Sequence, residues 1–392
     1  MGMMAEKKLK ILIVNYEFPP LGGGGGVATL DLGLEWVKEA QVDILTSHFK
    51  GLPFYENLNG INVYRTKIFF RTSRDAATFV SMASYLITGF FKGISLVRKN
   101  RYDVINTHFA VPSGPLGYIL SKIFSIPNVL SLHGGDIYDP SKKLSPHDSA
   151  IFRPVVKFIL NSATKIVAQS SNTRDNALKY YSPKNDVDII PLAFHSPKTP
   201  RVTRKKLGLS DDDFYVITIG RLIKRKSIQT LLYAIKQIKN EKIKLLIVGD
   251  GPEKDYLSSI VAAEKLEGRV KFLGFLEDDD KYKFLSLCDV FALTSLHEGF
   301  GIVFMEAMAM GLPIVCTNHG GQVDFLKDKE NAILINVGDH NKCAEGIMTL
   351  YKNKKLYQKL ANNNKKKVKD FYAPAVASRY MDIFKSLSDR DK

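Results

Sequence analysis

Glu298 and Glu306 stand eight residues apart in the stretch Thr294-Ser-Leu-His-Glu-Gly-Phe-Gly-Ile-Val-Phe-Met-Glu-Ala-Met-Ala-Met-Gly311. An apolar run, Asp289-Val-Phe-Ala-Leu, precedes it, and another, Pro313-Ile-Val-Cys-Thr, follows. The pattern predicts a strand, a turn carrying Gly299 and Gly301, a helix, and a second strand. Backbone N–H groups at such a helix start favour an anion, and glycines there let a ligand approach the chain closely. One carboxylate lies in the turn and the other about a turn into the helix. The arrangement suits a ligand with phosphate in the middle and hydroxyls at both ends, such as a sugar nucleotide.

Other candidates have the same strand-end setting. Gly22 to Gly26 follow an apolar strand and Phe18-Pro-Pro-Leu, and open a helix. The order is neither G-x-G-x-x-G nor a P-loop, but five consecutive glycines are entropically costly for a mere turn, so close ligand approach is expected. His108 and His133 each end a strand. His133 is followed by Gly134-Gly135-Asp136, which lets the imidazole project, whereas His108 reads as structural. Gly220-Arg221-Leu-Ile-Lys-Arg-Lys226 places cations where two of them could neutralise a departing diphosphate, with a solvated-loop role left to Lys224 or Arg225. Gly249-Asp-Gly-Pro252 reads as turn geometry. The acidic runs at 211–213 and 278–280 read as loop or helix-start residues rather than metal ligands.

Two layered domains must position these groups. The chain of 392 residues is long enough for both, and its 45% hydrophobic and 24% charged content is that of a globular protein. Strands alternate with helical segments throughout, which implies parallel sheets covered on both faces. The α/β domains are assigned to 1–194 and 207–370, joined by a Pro-rich basic linker at 195–206 and followed by a helix at 371–392. Cys288, Cys316 and Cys343 form no CxxC pair, and with no signal peptide visible they read as reduced thiols in a cytoplasmic protein. The net charge of +16 points to nucleic acid, an anionic membrane or phosphorylated substrates. No zinc spacing or aromatic platform supports nucleic acid, so no nucleic-acid partner is expected.

These motifs, in this order, resemble the retaining, nucleotide-sugar-dependent glycosyltransferases of family 4, over nearly the whole chain. Glu298-Gly-Phe-Gly-Ile-Val-Phe-Met-Glu306-Ala-Met-Ala-Met-Gly-Leu-Pro carries most of the resemblance. The glycine loop, His133-Gly-Gly-Asp136, Gly220-Arg-Leu…Lys226, Gly249-Asp-Gly-Pro and Val270-Lys-Phe-Leu-Gly274 support it. The resemblance implies a GT-B fold, two Rossmann-type domains facing across a cleft with the C-terminal helix returning to the first. It implies that Glu306 binds ribose hydroxyls and that Glu298, with the backbone of Phe300 and Gly301, holds the donor sugar. The N–H groups near Ile302 and Val303 would hold the diphosphate, and Arg221 and Lys226, after Gly220, would neutralise it without a metal. His133 would lie beside the transferred sugar, with Gly24, Gly25 and Gly26 near the donor, and Phe275 and Leu276 would line the base. No cofactor is implied. Ser227 and Ala332 stand where the family has glycine.

The function implied is transfer of a hexose-type sugar to a glycan or lipid-linked acceptor in cell-envelope polysaccharide, lipopolysaccharide or glycolipid synthesis. A sugar-nucleotide epimerase of the same fold is the alternative; a dinucleotide oxidoreductase fits the glycine loop only loosely. The segment from Phe79 to Val97 falls below the requirement for a spanning helix. A helix at 76–99, with Arg71, Arg74, Lys92, Arg98 and Lys99 around an apolar stripe, could nonetheless rest on an anionic membrane, at the cytoplasmic face.

Overall fold

Runs of Ile, Val and Leu, apolar on both sides, can be satisfied only by strands covered on both faces, and two such sheets form. The computed structural model describes residues 8–71, 77–141 and 145–389. They divide into two compact units, one taking in residues up to His195 together with the segment from Phe371, the other Ser196–Asp370.

The first unit contains β1 (Leu9–Asn15), α1 (Gly24–Trp36), β2 (Ala40–Ser47), β3 (Tyr55–Leu58), β4 (Ile61–Thr66), α2 (Phe79–Asn100), β5 (Val104–His108), α3 (Ser113–Phe124), β6 (Asn128–Leu132), α4 (Phe152–Ser162), β7 (Lys165–Ala168), α5 (Ser171–Tyr181) and β8 (Val187–Ile189). Its strand order is β3-β4-β2-β1-β5-β6-β7-β8. All neighbours are parallel except β3 and β4. The order reverses between β1 and β5, where Asn15 lies opposite His108. Ligands of doubly wound sheets bind outside the carboxyl ends at such a switch point.

The second unit contains β9 (Phe214–Ile219), α6 (Ile228–Gln237), β10 (Ile243–Val248), α7 (Lys254–Ala263), β11 (Val270–Gly274), α8 (Asp278–Leu287), β12 (Val290–Leu293), α9 (Ile302–Ala309), β13 (Ile314–Thr317), β14 (Ala332–Ile335), α10 (His340–Lys352) and α11 (Lys354–Lys367). Its parallel order is β11-β10-β9-β12-β13-β14, with the reversal between β9 and β12. The last helix, α12 (Ala373–Ser388), belongs to the first unit.

Three differences from the sequence reading have local causes. Helix α1 begins inside the glycine run, at Gly24, because Gly23 is extended and the next three glycines already form the first turn. The hairpin strand β3 was not anticipated; it is a short, half-exposed edge, turned by Asn59 and Gly60, both at positive φ. Helix α2 starts at Phe79, where Thr78 and Ser81 form a capping box. The expected earlier helix start and Arg74 lie outside the described residues. In length and composition α2 does suffice to cross a membrane, contrary to the sequence reading. Yet Tyr85, Leu96 and Val97 are buried in the unit's core, and the Tyr85 hydroxyl donates to the Leu45 carbonyl at 3.0 Å.

Helix α12 seals the other side of the sheet. The chain's single tryptophan, Trp36, donates from Nε1 to the Ala377 carbonyl at 3.1 Å and meets Phe384 edge-on at 5.0 Å. Phe384 is fully buried. Phe384→Ala should therefore cost the first unit about 3–5 kcal/mol through loss of transfer energy and a residual cavity. Denaturant unfolding followed by Trp36 fluorescence isolates that unit; an unchanged midpoint would show that α12 contributes little.

Candidate active site

The second unit's switch point is built around one carboxylate. Beyond β12 the chain turns so that Glu298 is 5% exposed. Its Oε1 accepts from Lys226 Nζ at 2.7 Å and from the Ser295 hydroxyl at 2.6 Å, and its Oε2 lies 3.3 Å from Arg225 Nη1. Lys226 and Arg225 come from the loop after β9. That loop is tied to the β12 loop by Thr294 Oγ1 donating to the Ser227 carbonyl at 2.9 Å and by the Leu296 N–H donating to the Arg225 carbonyl at 2.8 Å. Burial alone would raise the Glu298 pKa; Lys226 and Arg225 outweigh it and hold the carboxyl at about 2. Glu298 is thus a fixed anion, and Lys226 retains further N–H donors for a ligand. The solvated-loop reading holds for exposed Lys224 but not for Arg225, which also donates to the His297 carbonyl at 2.8 Å. Arg221 follows Gly220 and is exposed.

Helix α9 starts at Ile302, and its cap, Gly301, has φ +88° and supplies no side-chain cap. A Cβ there would fall 2.7 Å from the Phe304 ring, so a side chain is excluded on two counts. The positive end of the helix, at the N–H groups of Ile302 and Val303, is thereby open to an anion. The Phe300 side chain is in the core against Phe325, at 5.0 Å, so only its backbone can serve a ligand. Glu306 lies in the second turn of α9, 7% exposed. Lys281 of α8 bonds its Oε1 at 2.7 Å. Tyr282 helps its charged form, but Oε2 has no hydrogen-bond partner. Burial outweighs Lys281 and raises the Glu306 pKa. Beyond β11, Phe275 is 71% exposed and Leu276 is half-buried.

The first unit's switch point holds a histidine pair. His108 Nε2 lies 2.8 Å from Asn106 Oδ1, whose own Nδ2 donates to the Val129 carbonyl at 3.0 Å. His108 therefore carries its proton on Nε2 and accepts at Nδ1, 2.9 Å from His133 Nε2. This fixes His133 as a donor at Nε2 and leaves a lone pair on Nδ1, which is buried without a partner. Asp136 holds the His133 backbone N–H at 2.9 Å, and Phe109 stacks on the ring at 4.2 Å. A Cβ on Gly25 would lie 2.9 Å from His133 Nδ1 and 2.8 Å from Phe109. Gly25 thus makes room for protein atoms as well as for any ligand; Gly24 and Gly26 sit beside it in the first turn of α1. His108, read as structural, is the partner that sets the tautomer of His133.

Sequence reasoning missed Lys281, Ser295, Asn106 and the role of Arg225. It also missed Gly320 and Gly321, where the Gly321 N–H donates to the Glu298 carbonyl at 2.8 Å. A signal was present, since His319-Gly-Gly repeats His133-Gly-Gly after a strand. The acidic run at 278–280 forms the first turn of α8, with Asp278 bonded to Lys281 at 2.7 Å. Of the two departures, Ser227 does adopt a glycine-type conformation, φ +47°, and bonds Thr230 Oγ1 at 3.0 Å. Ala332 instead opens β14 without positive φ.

Comparison with known proteins agrees with this geometry. Residues 22–195 match the family model described as Glycosyltransferase Family 4, and residues 201–367 match that described as Glycosyl transferases group 1. The N-acetyl-alpha-D-glucosaminyl L-malate synthase of Bacillus anthracis is 27% identical over 98% of this chain and 99% of its own length. The N-acetylgalactosamine-N,N'-diacetylbacillosaminyl-diphospho-undecaprenol 4-alpha-N-acetylgalactosaminyltransferase of Campylobacter jejuni is 34% identical over 57% of this chain and 60% of its own. The crystal structure of Anabaena HepE in complex with UDP superposes with a TM-score of 0.79 at 23% identity, covering 96% of this chain and 100% of that one. The fold is GT-B, and the chain is an enzyme of the glycosyltransferase class, of the family 4 type. The epimerase alternative is not favoured.

The buried imidazoles give a signed pH dependence. Burial lowers the His133 pKa from 6.5 to about 3 and lowers His108 as well. Between those values the unfolded chain binds the extra proton, so their contribution to stability is complete above about pH 6.5 and is lost as pH falls towards 3. His133→Gln should flatten the decline between about pH 6.5 and 4.5 by up to about 1.4 kcal/mol per pH unit. An identical slope in the variant's urea titrations would refute burial of a neutral His133.

Proposed function

We propose a retaining glycosyltransferase that moves a hexose-type sugar from a nucleotide diphosphate sugar to a glycan or lipid-linked acceptor in cell-envelope polysaccharide, lipopolysaccharide or glycolipid synthesis. The observation that carries this reading is Glu298, fixed by Lys226 and Arg225 beside the uncapped start of α9. The helix start and Lys226, with Arg221 from the same loop, suit a diphosphate. Glu306, with Oε2 unbonded, suits the ribose, and Lys281 orients it. The lone pair on His133 Nδ1 suits a sugar hydroxyl. The UDP held by Anabaena HepE and the undecaprenol-linked acceptor named for the Campylobacter relative support a donor and acceptor of these kinds.

Retention fits a front-face reaction. The bond from the anomeric carbon to the leaving phosphate oxygen breaks as the acceptor oxygen bonds on the same face, and that phosphate oxygen takes the acceptor's proton. Glu298, held at about pKa 2 by two cations, is a poor nucleophile for a double displacement. Positive charge from Arg221 and Lys226 would meet the charge developing on the departing diphosphate, a role a metal ion plays elsewhere. The products named for both relatives carry α linkages; an α-linked donor sugar would reach them with retention. We place the reaction in the cytoplasm, where nucleotide sugars are made.

Arg221→Ala and Lys226→Ala should each lower kcat about 10²–10³-fold, as expected for groups acting on transition-state charge. Unchanged kcat in both would remove them from catalysis. Glu306→Ala and Lys281→Met should mainly raise KM for the donor, and an effect confined to the acceptor would contradict a ribose contact. NMR of the first-formed anomer decides retention, and activity in excess chelator tests independence from metal.

A further inference from the structure

We propose that the outward face of α2, α3 and α4 docks the protein flat on an anionic lipid bilayer. These helices, of 22, 12 and 11 residues, contain no Asp or Glu at all. Every other helix of the first unit carries at least one acid: Asp31 and Glu35 in α1, Asp175 in α5, Asp382 in α12. The exposed cations of the three helices are Arg98, Lys99, Lys122, Arg153 and Lys157. The nearest acid upstream of α4 is Asp148, and His147 lies 3.0 Å from it.

The same face exposes large apolar side chains that a solvated helix layer would not carry. Phe79 is 53% exposed, Ile87 63%, Phe91 68%, Ile123 52% and Phe158 51%, with Ile151, just before α4, at 74%. They form one surface because glycines draw the helices together. A Cβ on Gly89 or Gly93 of α2 would fall 2.7 Å from Leu116 or Leu120 of α3, and one on Gly114 of α3 would fall 2.7 Å from Ile159 of α4. Phe79 stacks on Phe152 at 5.6 Å across α2 and α4. Between α3 and α4 runs an apolar groove of about 450 Å³, lined by Pro115, Tyr118, Ile119, Pro154, Val155 and Phe158.

Exposed apolar side chains gathered on one face mark an interaction site, and the basic, acid-free helices that carry them select the partner. A bilayer interface takes up aromatic and aliphatic side chains, and anionic headgroups meet the lysines and arginines. Helix α2 lies on the surface rather than spanning it, because its other side is occupied by the sheet through Tyr85, Leu96 and Val97.

This extends the reading of a lipid-linked acceptor, but binding is measured without donor or acceptor, so it can fail while glycosyl transfer stands. The full chain should sediment with vesicles of phosphatidylcholine and phosphatidylglycerol, weakly or not at all with phosphatidylcholine alone, and less at high salt. The triple variant Lys122→Glu, Arg153→Glu, Lys157→Glu should lose affinity on the order of a hundredfold or more. The pair Ile123→Ser, Phe158→Ser should weaken binding without removing its salt dependence; circular dichroism melts check that both variants fold. Equal binding to both vesicle types, wild-type binding by the triple variant, or a sedimentation-equilibrium dimer that the apolar pair dissociates would each overturn the proposal.

Discussion

The arrangement of the second unit depends on keeping one carboxylate ionised where water is largely excluded. A buried anion is tolerated only when opposite charge and hydrogen bonds replace its hydration. Lys226, Arg225 and Ser295 do this for Glu298, and the requirement reaches outward. The loop after β9 must come to the loop after β12, which fixes Ser227 in a left-handed conformation and pairs the two loops through Thr294 and Leu296. The loop after β13 closes on the Glu298 carbonyl through Gly321. Three loops at one switch point are thus held by a single anion, beside a helix start left uncapped by Gly301.

The two carboxylates of this site are set apart by their surroundings. Burial acts on both. Two cations overcome it at Glu298, whereas one cation, Lys281, does not at Glu306. Glu298 accepts from three protein donors and serves as a fixed anchor. Glu306 keeps an unbonded oxygen, which suits a group meant to exchange its partner for a ligand hydroxyl. The first unit handles polarity in a different way. Its switch point is held by neutral imidazoles in a chain from Asn106 through His108 to His133, where burial keeps protons off and the hydrogen bonds decide which nitrogen keeps an unshared lone pair.

Much of the site was legible because its chemistry is local. Glycine at 301, acids at 298 and 306 and the following apolar helix are all neighbours in sequence, and parallel sheets place strand ends and helix starts together by rule. What could not be read were partners from elsewhere in the chain. Arg225 and Lys224 are adjacent cations in one loop, and nothing local says which turns inward. Lys281 sits in a helix whose first turn is a run of acids, and its bond to Glu306 spans 25 residues. His108 looked structural because its partner His133 is 25 residues away, just beyond the next strand.

The sequence by itself determined two α/β units, their alternation of strands and helices apart from the edge strand β3, and residue types that suit a sugar nucleotide, because hydrophobic period and glycine position act over a few residues. Only the tertiary structure decided which cations hold Glu298, which histidine nitrogen is left with an unshared lone pair, and that three acid-free helices share one outward face. Burial, pKa and surface continuity are set by neighbours in space, and those are chosen by the sheet order rather than by proximity along the chain.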